Sequence, residues 1–240
     1  MKKIYTISIF ILTFFISFNT AFAQGKLNQF DANGKRHGIW KKYYKNNRIR
    51  YSGNFVNGKE VGTFKYYSAA NSEFPIVVRE YNKDNNIADV KFYSVSGVLE
   101  SKGLMRGKKR VGKWIYFHEN SKVVMAEENY IDGKLDGSYK TFYKSGKPTE
   151  IAIYKDGFLH GPYIKYAIKG HIYQDFNYQN GKLNGSAIYY NRKSGDLTTK
   201  GTFKDDIRVG TWENWGDGEL ISTEQPNKKK EKRKKIKEKQ

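Results

Sequence analysis

The 240-residue sequence predicts an all-β fold: an elongated, twisted antiparallel β-meander built from tandem β-hairpin repeats. Three observations predict it. A glycine-centred segment recurs every 24 to 26 residues, aromatic rings keep a fixed register with that glycine, and Asn-Gly or Asp-Gly steps mark the same phase of several units.

At the N-terminus, Lys2 and Lys3 precede an apolar run from Ile4 to Phe18, and Ala21-Phe22-Ala23 before Gln24 has the small-residue pattern of a cleavage site. Residues 1–23 are therefore expected to be a secretory signal cut after Ala23. The body would then be exported: periplasmic, envelope-associated or secreted. An uncleaved anchor would leave the body on the same side, because the lysines stay inside. The chain contains no cysteine, which excludes disulfides, thiolate metal sites, a cysteine nucleophile and a lipid-modified cysteine after the signal.

Residues 24–226 carry the array. Its first full copy, GKRHGIWKKYY from Gly34, is followed by GKEVGTFKYY from Gly58, GKKRVGKWIYF from Gly107, GKLDGSYKTFY from Gly133, GFLHGPYIKY from Gly157, GKLNGSAIYY from Gly181 and DIRVGTWENW from Asp206. The second glycine of each copy is Gly38, Gly62, Gly112, Gly137, Gly161, Gly185 or Gly210. Between Gly62 and Gly112 a degenerate copy starts at Asp84 and puts Ala88 in the glycine's place, so eight units follow one another. Two residues after this glycine stands a large ring in Trp40, Phe64, Trp114, Tyr139, Tyr163 and Trp212, with Val90 and Ala187 as departures. Five after it the ring never fails: Tyr43, Tyr67, Tyr93, Phe117, Phe142, Tyr166, Tyr190 and Trp215. Seven before it stand Phe55, Tyr81, Tyr130, Tyr154, Tyr178 and Phe203, with Leu104 eight before in the fourth unit.

The residues between these rings are β-prone and alternate with polar ones. Asn57-Gly58, Asp132-Gly133, Asp156-Gly157 and Asn180-Gly181 read as turns needing positive φ, and softer turn signals such as Ser96-Gly97 and Ser145-Gly146 lie half a unit away. Two turns per unit imply two strands, hence a ribbon of roughly sixteen strands and about 75 to 80 Å at ~4.8 Å spacing. A unit this small cannot bury a face alone and needs stacked neighbours. The nine-residue separations Phe55–Phe64, Tyr130–Tyr139, Tyr154–Tyr163 and Phe203–Trp212 suit directly opposed ring pairs around a loop of about four to six residues, whereas a two-residue turn sets a different register. The rows at two and five differ in parity. A straight strand puts them on opposite faces and a bulge brings them together.

The period and the unit G-K-x-x-G-x-[aromatic]-x-x-[aromatic] resemble MORN repeats, and among them the bacterial MORN-variant arrays of the YwqK antitoxin type. The resemblance runs from about Phe30 to Ile221. It implies elongated sheets of tandem hairpins used for protein binding, self-association or membrane attachment, with no catalytic residues and no cofactor. Three features depart from it: Ala88, an additional residue in GKKRVG, and the insertion SAANSEFP ending at Pro75. The array is expected to kink, loop out or bend around them.

Motifs for chemistry are sparse. His37 and His160 share a loop position five units apart, too distant for one metal, and the carboxylates Asp132, Asp136, Asp156 and Asp206 fall in turns. Ser138 and Ser186 follow repeat glycines without a nucleophile-elbow context, and no glycine-rich phosphate loop precedes a helix. No metal site and no catalytic residue is expected. The candidate functional residues are instead the loop glycines (Gly34, Gly58, Gly107, Gly133, Gly157 and Gly181 with the second glycines above) and the two ring rows, for packing or binding.

The net charge is +20, of which +7 lies in the tail 227–240. Lys228, Lys229, Lys230, Lys232, Arg233, Lys234, Lys235, Lys237 and Lys239 are its candidate polyanion contacts; the alternative role of this tail, expected to be disordered when free, is solubility. Residues 24–226 keep +11, so the basic character is shared. Basic charge among rings also suits nucleic acid, but export argues against that partner and toward lipid headgroups, lipopolysaccharide or acidic glycans. The leading expectation is a non-catalytic exported scaffold that binds a protein or an anionic envelope surface, with self-association through edge strands open to it. The alternatives are an antitoxin or immunity protein that masks a toxin, and a glycan-active enzyme of unrecognised type.

Overall fold

The computed structural model describes residues 26–81 and 86–226, so the expected signal segment and the basic tail lie outside the described residues. Every element is a strand. A two-residue β1 (Gln29–Phe30) lies beside β2 (Arg36–Tyr43), and each repeat unit is one hairpin of an outgoing and a returning strand. The units are β2 with β3 (Ile49–Val56), β4 (Lys59–Tyr67) with β5 (Pro75–Tyr81), β6 (Ile87–Tyr93) with β7 (Leu99–Arg106), and β8 (Lys109–Phe117) with β9 (Val124–Ile131). In the fifth unit the outgoing strand is broken into β10 (Lys134–Leu135) and β11 (Gly137–Phe142) before β12 (Pro148–Lys155). Then come β13 (Phe158–Tyr166) with β14 (Ile172–Gln179), β15 (Lys182–Tyr190) with β16 (Leu197–Lys204), and β17 (Ile207–Gly216) with β18 (Glu219–Glu224). Each strand pairs antiparallel with its predecessor and successor in one open meander. The eighteen strands are the sixteen expected, plus β1 and the break at Asp136.

Except between β5 and β6, where the last pair is Tyr81 with Ala88, the turns between units are two residues long: Val56 pairs with Lys59 across Asn57 (φ 50°) and Gly58 (φ 79°), the backbone of a type I′ turn. The opposed ring pairs expected from the nine-residue spacing therefore do not form. Phe55 pairs with Glu60, Tyr130 with Leu135, Tyr154 with Leu159 and Phe203 with Arg208. The rings nevertheless meet diagonally, with Phe55 and Phe64 at 5.1 Å and Phe203 and Trp212 at 5.0 Å between centroids, both near perpendicular.

The repeat glycine explains that diagonal. Between units the ladder shifts by two residues: Asn54 pairs with Val61, and then Ser52 pairs with Lys65. Gly53 alone thus faces Gly62, Thr63 and Phe64. The same two-residue shift recurs at Gly112, Gly137, Gly161, Gly185 and Gly210, whose φ lies between 63° and 107°. This is a bulge closed by a left-handed residue, cheap only for glycine. Where Ala88 replaces the glycine, no bulge forms. The β5–β6 ladder runs unbroken from Tyr81–Ala88 to Val77–Phe92, so the expected kink is absent there.

The other two departures also dissolve. In GKKRVG no residue is added to the strand, because Arg106 pairs with Lys109 across Gly107-Lys108 and the glycine has moved one place earlier in the turn, as a type II′ turn requires. The SAANSEFP loop docks on its neighbours instead of looping out. Asn46 donates to Ala69 O (3.0 Å), Arg48 donates to Ala69 O and Ala70 O, and Asn71 Nδ2 donates to Val95 O (3.4 Å).

Successive turns are tied along both long edges. The amides of Gly58, Gly133, Gly157 and Gly181 donate to the carbonyls of Arg36, Arg110, Leu135 and Leu159 at 2.8 to 2.9 Å. On the other edge Tyr44 Oη donates to Tyr67 O (2.8 Å) and Tyr143 Oη to Tyr166 O (2.9 Å). These bonds join one unit to the next outside the ladder, which fixes the spacing of stacked hairpins.

Candidate functional site

The sheet offers two faces, and the rows expected from sequence separate onto them. On the first face one row crosses every hairpin, each residue paired with the next: Trp40, Gly53, Phe64, Arg79, Val90, Gly103, Trp114, Glu128, Tyr139, Ala152, Tyr163, Phe176, Ala187, Gly201 and Trp212, with Glu224 last. Ladder pairing lapses at Gly53–Phe64, Gly103–Trp114 and Gly201–Trp212, where a ring lies over a glycine, and between Glu128 and Tyr139. A β-carbon on Gly53 would stand 2.5 Å from Phe64 Cγ, one on Gly103 2.6 Å from Trp114 Cγ, and one on Gly201 2.7 Å from Trp212 Cγ. Phe64, Trp114 and Trp212 are fully buried as a result. Ala187, the apparent lapse in the row, compensates Phe176 opposite it.

An open single-layer sheet needs something to cover the outer side of each indole. Arg36, Arg110 and Arg208, each four residues before its tryptophan, lie over Trp40 (5.3 Å), Trp114 (4.9 Å) and Trp212 (4.1 Å). Sequence reasoning missed this sandwich of glycine, indole and guanidinium. The signal was present: Arg stands four before these three tryptophans and no other repeat ring, and glycine stands nine before the repeat glycine in the Trp114 and Trp212 units, though also in the Phe64 unit. The first ring row is therefore a packing row, with only Tyr139 and Tyr163 half-buried. The place seven before Gly112, where the expected row slips to Leu104, is filled by Met105 on β7, which is buried with Ala88, Val90 and Trp114.

Phenols and carboxylates fill the gaps in this face. Tyr66 (3.2 Å) and Tyr81 both donate to Glu60, Tyr130 donates to Glu128 (2.6 Å), and Tyr163 donates to Glu150 (3.2 Å). Burial first, and the carboxylates next, push the Tyr66, Tyr116 and Tyr163 phenols well above the ordinary tyrosine value and Tyr139 up to about 12. Such phenols stay protonated at neutral pH, and those of Tyr66 and Tyr163 act as donors.

The second ring row lies on the reverse face. Phe117 sits under Lys102 (6.0 Å) and Trp215 under Lys200 (5.2 Å), and both lysines alternate with first-face glycines. The parity of a straight strand thus prevails, because the extra residue of each bulge at this end lies on the returning strand: Lys42 pairs with Tyr51 and Tyr43 with Ile49, which leaves Arg50 as the additional residue of β3. Each ring there pairs with an apolar residue across the closing turn: Tyr43 with Ile49, Tyr67 with Pro75, Tyr93 with Leu99, Phe117 with Val124, Phe142 with Pro148, Tyr166 with Ile172, Tyr190 with Leu197 and Trp215 with Leu220. Tyr43 is the most open, 54% exposed.

Beside that row runs a reverse-face ladder reading Lys41, Ser52, Lys65, Val78, Lys91, Lys102, Ile115, Glu127 and Lys140 across the first units, with no carboxylate before Glu127. It continues as Ile151, Ile164, Asp175, Ile188, Lys200 and Glu213. Charge follows the same division: residues 24–131 carry 20 basic and 10 acidic side chains, whereas 132–226 carry 13 and 12. Among the described residues, Lys41, Lys65, Lys91 and Lys102 enter no ion pair.

The histidines serve the edges. His118 Nε2 bonds with Phe142 O (3.0 Å), His171 Nε2 with Arg192 O (2.7 Å), and His160 Nδ1 with Asn180 Oδ1 (3.3 Å), while His37 is exposed. No group of three or more His, Asp or Glu able to hold a metal occurs among the described residues.

The family model of the MORN repeat variant matches residues 36–57 and 135–156, the first and fifth hairpins, each starting two residues before its repeat glycine. No curated protein matches the chain.

Proposed function

Taking those MORN-variant repeats as the premise, we propose that the chain is a non-catalytic, exported binding scaffold whose reverse face over the first four hairpins lies against an anionic envelope surface. The observation that carries this reading is the row Lys41, Lys65, Lys91 and Lys102, unneutralised within its ladder and flanked by Tyr43, Tyr67, Tyr93 and Phe117. Lysines beside half-buried rings suit an interface in which ammonium groups meet phosphate or carboxylate and rings sit at the level of the headgroups. The basic tail from Lys228 to Lys239 adds charge to the same attraction.

Vesicle co-sedimentation tests it. Binding to phosphatidylglycerol vesicles, absent with phosphatidylcholine, should weaken steeply with salt. At about 1 kcal/mol per surface lysine, the quadruple Lys41, Lys65, Lys91 and Lys102 to Gln variant should lose on the order of 100-fold or more. Binding indifferent both to salt and to the quadruple substitution refutes the proposal. An antitoxin reading predicts instead a stoichiometric protein complex that leaves vesicle binding at background.

A further inference from the structure

The lysine row contains one arrangement that electrostatics alone disfavours. Lys91 and Lys102 are directly opposed across β6 and β7, and one step along the same face Glu80 is directly opposed to Asp89 across β5 and β6. Like charges in opposed cross-strand positions cost stability. Two such pairs side by side could relieve one another through ion pairs, yet none of the four residues enters one among the described residues. Lys102 leans instead over Phe117, at 6.0 Å from the ring centroid. The nearest ion pair, Lys113 with Glu127 at 2.9 Å, leaves those four charges uncompensated.

Over β6, β7 and β8 runs an open groove of about 440 Å³ lined by Asp89, Lys91, Lys102, Leu104, Lys113 and Ile115, and Glu80 on β5 stands opposite Asp89 outside that lining. Along β6 the groove is positive at Lys91, opposite Lys102, and negative at Asp89, because residues two apart on a strand share a face about 7 Å apart, and its third lysine, Lys113, is held by Glu127 at 2.9 Å. Leu104 is directly opposed to Asp89 and Ile115 to Lys102, so each charged end is flanked across the ladder by an aliphatic side chain.

We propose that the groove and its Asp89 end form a binding site for a zwitterionic phosphoethanolamine group, with the phosphate between Lys91 and Lys102 in the groove and the primary ammonium at its edge, between Asp89 and the opposed Glu80. Two opposed ammonium groups accept a phosphate that neither could hold alone, and ligand binding converts both like-charge contacts into favourable ones. Carboxylates select a primary ammonium, which donates hydrogen bonds. A quaternary ammonium calls for an aromatic cage, and the ladder neighbours of Glu80 and Asp89 are Thr63 and Leu104. The assignment rests on the reading that this face meets the envelope, where such groups occur on lipids and on glycans.

Thermal unfolding with soluble O-phosphoethanolamine, against inorganic phosphate at equal ionic strength, tests the groove without a membrane. The wild-type Tm should rise more with phosphoethanolamine than with phosphate. Lys91→Gln/Lys102→Gln should respond to neither, and Glu80→Gln/Asp89→Asn should keep the phosphate response while losing the phosphoethanolamine excess. Each variant removes a like-charge pair, so its Tm without ligand should be unchanged or higher; if one falls, Lys102→Gln and Asp89→Asn alone carry the same comparison. In mixed vesicles of fixed phosphatidylglycerol content, replacing the phosphatidylcholine component by phosphatidylethanolamine should tighten wild-type binding about tenfold, the weight of one charge-assisted hydrogen bond, and the carboxylate variant should abolish that gain while binding phosphatidylglycerol at least as well. Soluble response without the vesicle gain assigns the group to a glycan. No phosphoethanolamine excess in the wild type, or an excess that survives Glu80→Gln/Asp89→Asn, overturns the site while leaving phosphatidylglycerol binding as the separate measure of the envelope reading.

Discussion

Replacing Gly103 by alanine should be among the most damaging single-methyl changes available to this chain. The added β-carbon would lie 2.6 Å from Trp114 Cγ and Cε2, about 1 Å inside ordinary carbon contact. The indole has nowhere to retreat: it is fully buried, its Nε1 donates to Leu104 O at 3.0 Å, and Arg110 covers its outer side at 4.9 Å. Overpacking a well-filled site costs about 1 to 3 kcal/mol, and lifting the indole sacrifices its hydrogen bond as well, so a loss near 3 kcal/mol is expected. Repeat arrays need not unfold as one unit, and amide exchange across β7 and β8 is therefore the appropriate readout, with Trp emission beside it. In Gly103→Ala those amides should exchange faster while β13 to β16 stay protected. A double-mutant cycle with Trp114→Ala should return a coupling of about 1 to 3 kcal/mol, since without the ring the methyl has space. A Gly103→Ala protein within about 0.5 kcal/mol of wild type, with unchanged exchange, refutes the stacking argument.

Arg110→Ala should uncover Trp114, raising iodide quenching and costing about 1 to 2 kcal/mol from the lost cation–π contact and cover. At Gly62 (φ 62°) a methyl meets nothing within 4 Å, so Gly62→Ala isolates the backbone term; urea unfolding should show a loss of about 1 to 2 kcal/mol. Ala88→Gly, at a buried position whose ladder carries no bulge, should cost about 1 kcal/mol in the same measurement and gain no bulge. Because Tyr66, Tyr116, Tyr139 and Tyr163 titrate higher in the folded state than unfolded, their contribution is complete below pH 10 and is lost as pH climbs from 10 toward the folded values, Tyr139 near 12. Tyrosinate absorbance should therefore rise with unfolding above pH 10; full titration of a still-folded chain near pH 10 would contradict the assignment.

Much of this architecture was legible in one sequence because a repeat reports its own phase. Gly38, Gly62, Gly112, Gly137, Gly161, Gly185 and Gly210 recur where the backbone must turn left-handed, and the rings at two and five follow from them. The candidate site was less legible. Lys41, Lys65, Lys91 and Lys102 look like scattered charge along the chain, since their alignment exists only across strands. Likewise Arg110 and Gly103 are unremarkable letters until Trp114 lies between them.

By itself the sequence determined the period, the two-strand unit and the glycines, because these depend on local φ/ψ limits and on strand alternation. Only the tertiary structure decided the register. The two-residue turn took Phe55 from its expected place opposite Phe64, and the two-residue shift at Gly62 brought the rings into diagonal contact with Phe64 over Gly53. Register is a cooperative choice between strands, fixed by turn length and bulge together, and no single strand's sequence contains it.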